Sequence, residues 1–226
     1  MPEHRSSQRN LSPAPRQESS GVPAPPRTGL RAELAATTQR VILEAARRLF
    51  AERGYASVSV KELASEAGVA VQTIYDTFGS KGGVVLRFAD LVDEEAGINE
   101  LRPLIFASQD PRETLRLVAR MRRQIGERCG DIVRMLMEGA AADPEVGVAL
   151  AEGMRRQDIG QLAVAQRLEA AGALRPGIDA QRAADIMTAL SASQIRDVLV
   201  VERGWSFDQF EIWLGETLRT LLLSDG

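Results

Sequence analysis

Apolar residues recur every three or four positions through most of the chain, which is the spacing of one face of an α-helix. The clearest stripe is formed by Ile42, Ala45, Ala46, Leu49 and Phe50, at i, i+3, i+4, i+7 and i+8. No alternating run of β-branched residues interrupts the pattern. The sequence therefore predicts an all-α fold.

Small polar residues and glycines divide this pattern into short helices after the first stripe. Gly54 is placed to end the first helix, and Ser59 to cap a second one that Gly68 ends. A third short helix is predicted from about Val71 to Phe78, and Ser80 can cap a fourth. The side chains expected to face inward from the second and third helices are Leu63, Ala64, Ala67, Ile74 and Phe78.

The C-terminal half shows the same kind of helix-capping residues, here between longer helices. Asp110-Pro111 and Asp143-Pro144 each combine an N-cap with a proline at the first helical position. One long helix is predicted from about Asp179 to Glu202, and Ser206 starts the last helix. The apolar stripe of that last helix is Phe210, Trp213, Leu214, Thr217, Leu218, Leu221 and Leu222.

Residues 1–36 have a different composition, rich in Pro, Ser, Gln and Arg, and contain six of the ten prolines. Such a segment buries too little apolar surface to offset the entropy of ordering it, so a disordered arm is predicted. Its arginines either contact phosphates or belong to a solvated tail. The sequence alone leaves both interpretations open.

Two residue types that carry much of protein chemistry are almost missing. The chain has one histidine, His4, and one cysteine, Cys129. An intrachain disulfide and a Cys/His zinc site within one chain are therefore excluded, and His-dependent catalysis nearly so. The carboxylates are scattered as on solvated helix faces, and no glycine-rich phosphate loop occurs. The chain is expected not to be an enzyme and to need no cofactor or metal.

The first residues are polar, without the apolar stretch of an export signal, and no apolar run is long enough to span a membrane. Together with the lone thiol, this predicts a cytoplasmic protein. The net charge of −3 and the pI near 5.4 argue at first against nucleic-acid binding.

Residues 59–79 carry the pattern that indicates a function. Two short helices joined at Gly68-Val69 are typical of a helix-turn-helix, whose second helix enters the major groove of DNA by its N-terminal end. Gln72 could pair with adenine, Thr73 could hydrogen-bond a base or touch a thymine methyl, and Val71 could contact such a methyl. The alternative is an ordinary helical hairpin with an exposed polar face.

Further residues of this stretch suit phosphate groups, which position a protein on DNA without reading its sequence. The hydroxyl of Tyr75 and the ammonium of Lys81 are of this kind, although Tyr75 could equally be a core residue. Ser59 would aim the free N–H groups of its helix at a phosphate, and Lys61 could add a contact.

The segments AARRLFAERGY, SVKELASEAGV and TIYDTFGSK, between Arg40 and Asp90, resemble the DNA-binding domain of TetR-family transcriptional regulators. The resemblance implies a phosphate-contacting role for Tyr75. The DNA-binding residues predicted on this basis are Arg40, Ser59, Lys61, Ala70, Val71, Gln72, Thr73, Tyr75 and Lys81. It also implies a three-helix helix-turn-helix domain at residues 37–97 and a larger helical ligand-binding and dimerisation domain at residues 98–226.

The chain departs from the family pattern at four positions. Ala70 stands where the family often has a capping Ser or Thr, and Gly79 replaces a frequent proline. Gly82 and Gly83 lie in the first turn of the predicted fourth helix, where each costs up to about 1 kcal/mol relative to alanine. These departures predict a less rigid junction between the two domains.

Soft apolar side chains in the C-terminal half predict a pocket for a small apolar or amphipathic ligand, although such a stripe is also typical of plain core. The predicted pocket residues are Met121, Ile125, Cys129, Val133 and Met137. The last two predicted helices are expected to meet a second copy of the chain, since family members pair in this way, or else to be internal core. The predicted interface residues are Leu190, Ile195, Val198, Leu199, Trp213, Leu218 and Leu221.

The resemblance implies a dimeric repressor that binds double-stranded DNA at a palindromic operator and is released by a small-molecule ligand. An activator or a ligand-independent regulator remains the nearest alternative, and a helical enzyme or small-molecule carrier a distant one. The charge no longer opposes DNA binding once it is divided: residues 1–90 carry +3 and residues 91–226 carry −6. The net charge of the whole chain is negative because the acidic residues 91–226 outweigh the mildly basic residues 1–90, which include the DNA-binding domain.

Overall fold

The computed structural model describes residues 27–224, with side chains from residue 31 onward, so most of the predicted disordered arm lies outside the described residues. Within them the arm prediction needs a correction, because the first helix begins at Arg27 and not at residue 37. Pro26 is the last proline before this point, and the residues that follow include Leu, Arg, Ala and Glu, which are strong helix formers.

The described residues form eleven α-helices and one π-helical turn, which confirms the predicted all-α fold. Their bounds are α1 Arg27–Arg53, α2 Val60–Ala67, α3 Val71–Phe78, α4 Lys81–Leu86, α5 Phe88–Glu95, α6 Ile98–Ala107, α7 Pro111–Gly139, α8 Pro144–Ala170, α9 Ala180–Leu190, α10 Ser193–Arg196, the π-helix Asp197–Glu202 and α11 Phe207–Leu222. The predicted N-caps Ser59, Ser80, Asp110, Asp143 and Ser206 are all confirmed, each accepting a backbone N–H.

Two groups of buried apolar side chains hold these helices together. The first surrounds Phe50, whose ring meets Tyr55 and Phe88 edge-on at centroid distances of 5.2 and 6.2 Å. It reaches from α1 through α5 into α7 and α8. The second joins α6, α7, α8, α9 and α11 around Leu115 and Met187. Because the first group crosses from the short helices into α7 and α8, those helices share a core with the helix-turn-helix.

The long helix predicted from Asp179 to Glu202 is wrong, because the chain breaks after Leu190 and continues as α10 and the π-helix. The break accompanies the burial of Arg196, which is 6% exposed and pairs with Asp197 at 2.6 Å. A Cβ at Gly126 would lie 2.5 Å from Cδ of Arg196. Glycine at this position of α7 therefore makes room for the arginine.

One helix start has no side-chain cap. The N-cap of α3 is Ala70, in extended geometry with φ −71 and ψ 147, and no side chain there accepts a hydrogen bond. Threonine adopts this geometry readily and would supply a hydroxyl to the first free N–H groups of the helix.

We therefore expect Ala70→Thr to raise the free energy of unfolding by about 1 kcal/mol relative to Ala70→Val, measured by urea denaturation at one fixed protein concentration. Threonine and valine have nearly the same shape, so their difference isolates the hydroxyl. Equal stabilities of the two variants would contradict the cap assignment.

Candidate nucleic-acid interface

Helices α2 and α3 form the predicted helix-turn-helix, with a defined start and turn. At the start of α2 the Ser59 hydroxyl accepts from the backbone N of Glu62 at 3.2 Å, and the Glu62 carboxylate accepts from the backbone N of Ser59 at 2.9 Å. At its end Gly68 has a φ of 66°, in the left-handed region that favours glycine, and Val69 N donates back to Ala64 O. The predicted inner faces are confirmed, with Leu63, Ala64, Ala67 and Ile74 buried and Phe78 half-buried.

The opposite face of α3 is open to solvent at its N-terminal end. Ala70, Val71, Gln72 and Tyr75 are exposed, and Thr73 is half-buried. Tyr75 is 45% exposed, so its alternative interpretation as a core residue is wrong. The structure thus brings the predicted base-contacting residues together on one solvent-facing surface.

The sequence interpretation overlooked Asp76, which lies on this same surface and accepts a hydrogen bond of 2.7 Å from Nε2 of Gln72. The two residues are one helical turn apart, so the i, i+4 spacing could have predicted the contact. An exposed pair of this kind stabilises a helix by only about 0.2–0.5 kcal/mol, so the Gln72 amide can leave it for another partner. Asp76 itself can only accept hydrogen bonds, and the base edge that suits it is the cytosine amino group.

Lys81 does not lie where the phosphate prediction placed it. Its Nζ donates to the carbonyl oxygens of Tyr55 and Val58 at 3.0 and 2.9 Å and stands 3.9 Å above the Tyr55 ring. These contacts hold the turn between α1 and α2 against the start of α4. The half-buried ammonium therefore has a structural role, and the prediction of Lys81 as a phosphate ligand is corrected.

The remaining predicted phosphate contacts, Arg40, Ser59 and Lys61, are exposed at the surface. Arg40 lies 3.7 Å from Glu44 on the same helix, an exposed pair that is weak enough to be exchanged for a phosphate. The start of α2 is less open than predicted, since the Glu62 carboxylate already lies there. Its hydrogen bonds from the backbone and hydroxyl of Ser59 lower the pKa of Glu62 below its usual value, which keeps it ionised.

Gly82 and Gly83, where a less rigid junction was predicted, both lie at close contacts in the structure. A Cβ on Gly83 would lie 1.9 Å from the backbone oxygen of Phe78, and one on Gly82 would lie 2.5 Å from the carboxyl carbon of Glu145. The same Glu145 carboxylate, at the start of α8, accepts a hydrogen bond from the hydroxyl of Tyr55. Burial, and then this hydrogen bond, raise the pKa of Tyr55.

A cavity of about 350 Å³ is lined by residues of α5, α6, α7, α8, α9, α10 and α11. Four of the five predicted pocket residues, Met121, Ile125, Val133 and Met137, are on its wall. Cys129 is not, because its fully buried side chain packs in the other direction, toward Glu95. Burial and the nearby carboxylate raise the pKa of the Cys129 thiol to about 12, so it stays protonated at neutral pH.

The predicted interface residues fall into three groups. Leu218 is fully buried in the core of this chain, which corrects its assignment to an interface. Leu190, Ile195, Leu199 and Trp213 are half-buried, whereas Val198 and Leu221 are 41% and 44% exposed. The sequence interpretation missed two more exposed apolar residues on the same elements, Val201 on the π-helix and Ile212 on α11, at 63% and 67%.

Across residues 27–224, none of the helices is both long enough and apolar enough to cross a membrane.

The comparisons with known proteins agree with this geometry. Residues 42–88 match the family described as bacterial regulatory proteins, tetR family. No curated protein sequence matches the chain.

Solved structures share the fold at low sequence identity. NalD, the secondary repressor of the MexAB-OprM multidrug efflux pump in Pseudomonas aeruginosa, is 24% identical, with a TM-score of 0.67 over 86% of this chain and 100% of that one. A regulator from Saccharomonospora viridis solved with choline is 23% identical, with a TM-score of 0.64 over 84% and 100%. FadR of Bacillus subtilis solved with stearoyl-CoA is 19% identical, with a TM-score of 0.66 over 80% and 97%.

The family match covers α2, α3 and α4 together with the C-terminal part of α1, which are the elements that build the helix-turn-helix. The fold of the solved structures extends the likeness over the C-terminal helices. Residues 42–88 therefore match the tetR family of bacterial regulatory proteins, and the described chain shares its fold with solved regulators of that family.

Proposed function

We propose that this protein is a dimeric repressor that binds a palindromic operator and releases it when a small molecule occupies the cavity. The observation that carries the proposal is the position of α8, which forms one wall of the cavity and holds the DNA-binding domain at its first turn. The solved relatives support both the repression and the ligand binding in this proposal. NalD is named a repressor, and two others are named in complex with choline and stearoyl-CoA. The direct test is a mobility-shift assay on the DNA upstream of the protein's own gene.

The DNA-binding step rests on the exposed N-terminal end of α3. Val71 and Gln72 would meet base edges in the major groove, and the Tyr75 hydroxyl would meet a phosphate. Residues 38–90 contain seven Lys or Arg and six Asp or Glu, a net charge of only +1. Non-specific attraction to DNA is therefore expected to be weak, and base contacts to supply a large share of the affinity.

The two tyrosines of the chain offer a matched test of this assignment. We expect Tyr75→Phe to weaken binding to every DNA sequence by roughly threefold to tenfold and to leave the free energy of unfolding unchanged. Tyr55→Phe should do the opposite, lowering the free energy of unfolding by about 1–2 kcal/mol while DNA affinity stays within about twofold, because its hydroxyl faces Glu145. Mobility shifts and urea denaturation measure the two effects. A loss of DNA affinity from Tyr55→Phe alone would overturn the assignment.

Gln72 is expected to read a base and not merely to attach the protein to DNA. Gln72→Ala should relax the preference at one base pair of each half-site, by about 1–3 kcal/mol of discrimination, which binding selection from randomised DNA measures. Thr77→Ala is the control, since Thr77 is also exposed on α3 but lies at its C-terminal end, away from the predicted groove contacts. Unchanged preference at every position in Gln72→Ala would contradict direct readout by this residue.

Ligand binding in the cavity is proposed to act on the DNA-binding domain through α8 and α5. Arg156, on the cavity wall, donates to Asp90 at 2.8 Å and to Asp93 at 3.1 Å, both on α5. Eleven positions earlier in α8, Glu145 contacts Tyr55 and Gly82. A ligand that moves α8 against α5 would shift α4 and change the spacing of the two recognition helices. Its effect is limited to the difference between its affinities for the two conformations.

The dimer is proposed to form through the π-helix and α11, where Val198, Val201, Ile212 and Leu221 are exposed. Covering such side chains favours association, and a two-fold dimer would place two α3 helices on one face of a palindromic site.

We expect Val201→Glu combined with Ile212→Glu to convert the dimer to monomer at micromolar concentration in sedimentation experiments and to weaken operator binding at least tenfold. Val148→Glu, an equally exposed apolar position on α8, should change neither property. A dimer that persists in the double variant would show that a different surface pairs.

A further inference from the structure

The cavity contains buried polar atoms that the protein leaves without partners. The side chain of Gln161 is 2% exposed, yet neither its oxygen nor its nitrogen makes a hydrogen bond within the described structure. The same holds for Nε of Arg122 and for the hydroxyl of Ser191. All three residues line the cavity. A buried polar group without a partner costs about 1–3 kcal/mol, so this cluster is expected to be completed by a bound molecule.

The three residues line one cavity from α7, α8 and the end of α9, and hydrogen bonds join these helices next to them. Arg122 Nη1 donates to Oε1 of Gln157 at 3.0 Å, and Gln161 follows Gln157 by one turn of α8. Ser191 follows Thr188 at the end of α9, and Thr188 is itself joined to α8 by a 3.5 Å hydrogen bond to Asp158. One small polar group of a ligand could therefore be shared by several of them.

The chemistry of the cluster favours an acceptor. Arg122 Nε is a donor only, Gln161 contributes an amide N–H donor and an amide oxygen, and the Ser191 hydroxyl can donate or accept. A carboxylate, which only accepts and offers two oxygens, matches a cluster in which donors outnumber obligatory acceptors. An ammonium, which only donates, would find the Gln161 oxygen and the hydroxyl but would face the Arg122 guanidinium.

Arg122 is also the half-buried cation of the cavity wall whose charge is least compensated. Arg156 pairs with Asp90, Asp93 and Glu152, and Arg196 pairs with Asp197. For Arg122, no carboxylate in residues 31–224 lies within ion-pair distance. Desolvation lowers the pKa of Arg122 to about 10, with Asp158 acting in the opposite direction, so the guanidinium remains charged at neutral pH.

The remainder of the wall is apolar, with Ile125, Met154, Val164, Met187 and Phe210 among its side chains. A volume of about 350 Å³ lies at the lower end of the range of about 300–1,000 Å³ that is usual for small-molecule pockets, which favours a small ligand. Such a wall and volume suit a short apolar body.

We propose that the ligand of this cavity is a small apolar carboxylate whose carboxyl group is bound by Arg122, Gln161 and Ser191. This inference rests on the proposed function in assigning the effector to the cavity, and it goes further in naming the chemical class. The carboxylate would satisfy the buried donors and neutralise Arg122, while the hydrocarbon part displaces water from the apolar wall.

The test uses three eight-carbon probes that differ only in their head group: octanoate, octanol and octylamine. With the full-length protein at pH 7.5, calorimetric titration should give octanoate at least tenfold tighter binding than octanol, and octylamine the weakest. Arg122→Met should weaken octanoate by roughly tenfold to a hundredfold and leave octanol within threefold of the parent. Gln161→Leu should weaken octanoate by about threefold to tenfold and provides a second variant if the first does not fold.

Arg120→Met is the matched control, since Arg120 is exposed on α7 and does not line the cavity, and it should bind all three probes like the parent. Octanol binding as tightly as octanoate, no measurable octanoate binding by the parent, or equal losses in Arg120→Met and Arg122→Met would overturn the proposal.

These titrations contain no DNA, so the two proposals can fail separately. Arg122-dependent octanoate binding by a protein whose DNA complex is unaffected by octanoate supports the ligand class and contradicts the release step.

Discussion

The contact of helix α8 with the DNA-binding domain, at a residue 82 that has no side chain, is the interaction on which the rest of the structure depends. The carboxyl group of Glu145 occupies the space that a Cβ would take and from there accepts the hydrogen bond of Tyr55. The arrangement depends on three further contacts, since Lys81 holds the Tyr55 and Val58 carbonyls, Gly83 meets the Phe78 backbone, and the Tyr55 ring packs on Phe50. One junction therefore joins the turn between α1 and α2, the starts of α4 and α8, and the core of the DNA-binding domain.

Charges connect the domains as well as the aromatic core does. Arg47 of α1 joins Glu95 of α5 and Asp131 of α7, at 2.6 and 2.5 Å. Its hydrogen bond to Asp131 is the main influence that raises the pKa of Arg47, so it stays charged at any pH the fold survives. Together with Arg156 it fixes both sides of α5.

In contrast to these paired charges, the cavity contains buried polar groups without partners. Most buried polar groups of a folded protein have partners, and the exceptions often mark function. Here Arg122, Gln161 and Ser191, which have polar atoms without partners, line the same cavity as Arg156 and Arg196, whose charges are paired with carboxylates. The concentration of unmet hydrogen bonds, more than the volume of the cavity, distinguishes it from a packing defect.

The sequence by itself determined the all-α fold, the helix starts at Ser59, Ser80 and Asp110, and the helix-turn-helix with its family. These features depend on local rules: apolar periodicity, capping side chains and the left-handed geometry of Gly68. The stripe of α7 also predicted four of the five cavity residues, since spacing along a helix fixes which side chains share a face. Cys129 was misplaced because it sits at a kink, with φ −129° inside α7, and a kink cannot be anticipated from a regular period.

Only the tertiary structure decided which polar groups are hydrogen-bonded within the protein and which face solvent. Lys81 and Tyr75 were both predicted to contact phosphate groups. In the structure the Lys81 ammonium donates to two backbone carbonyls, whereas Tyr75 is exposed to solvent. Gly82 and Gly83 looked like flexible residues and are contact points. Leu218 and Leu221 share one helix, but only Leu218 is enclosed by the core. Except for Gly83, which meets the nearby Phe78, the answer depends on partners distant in sequence, whose positions local propensity does not specify.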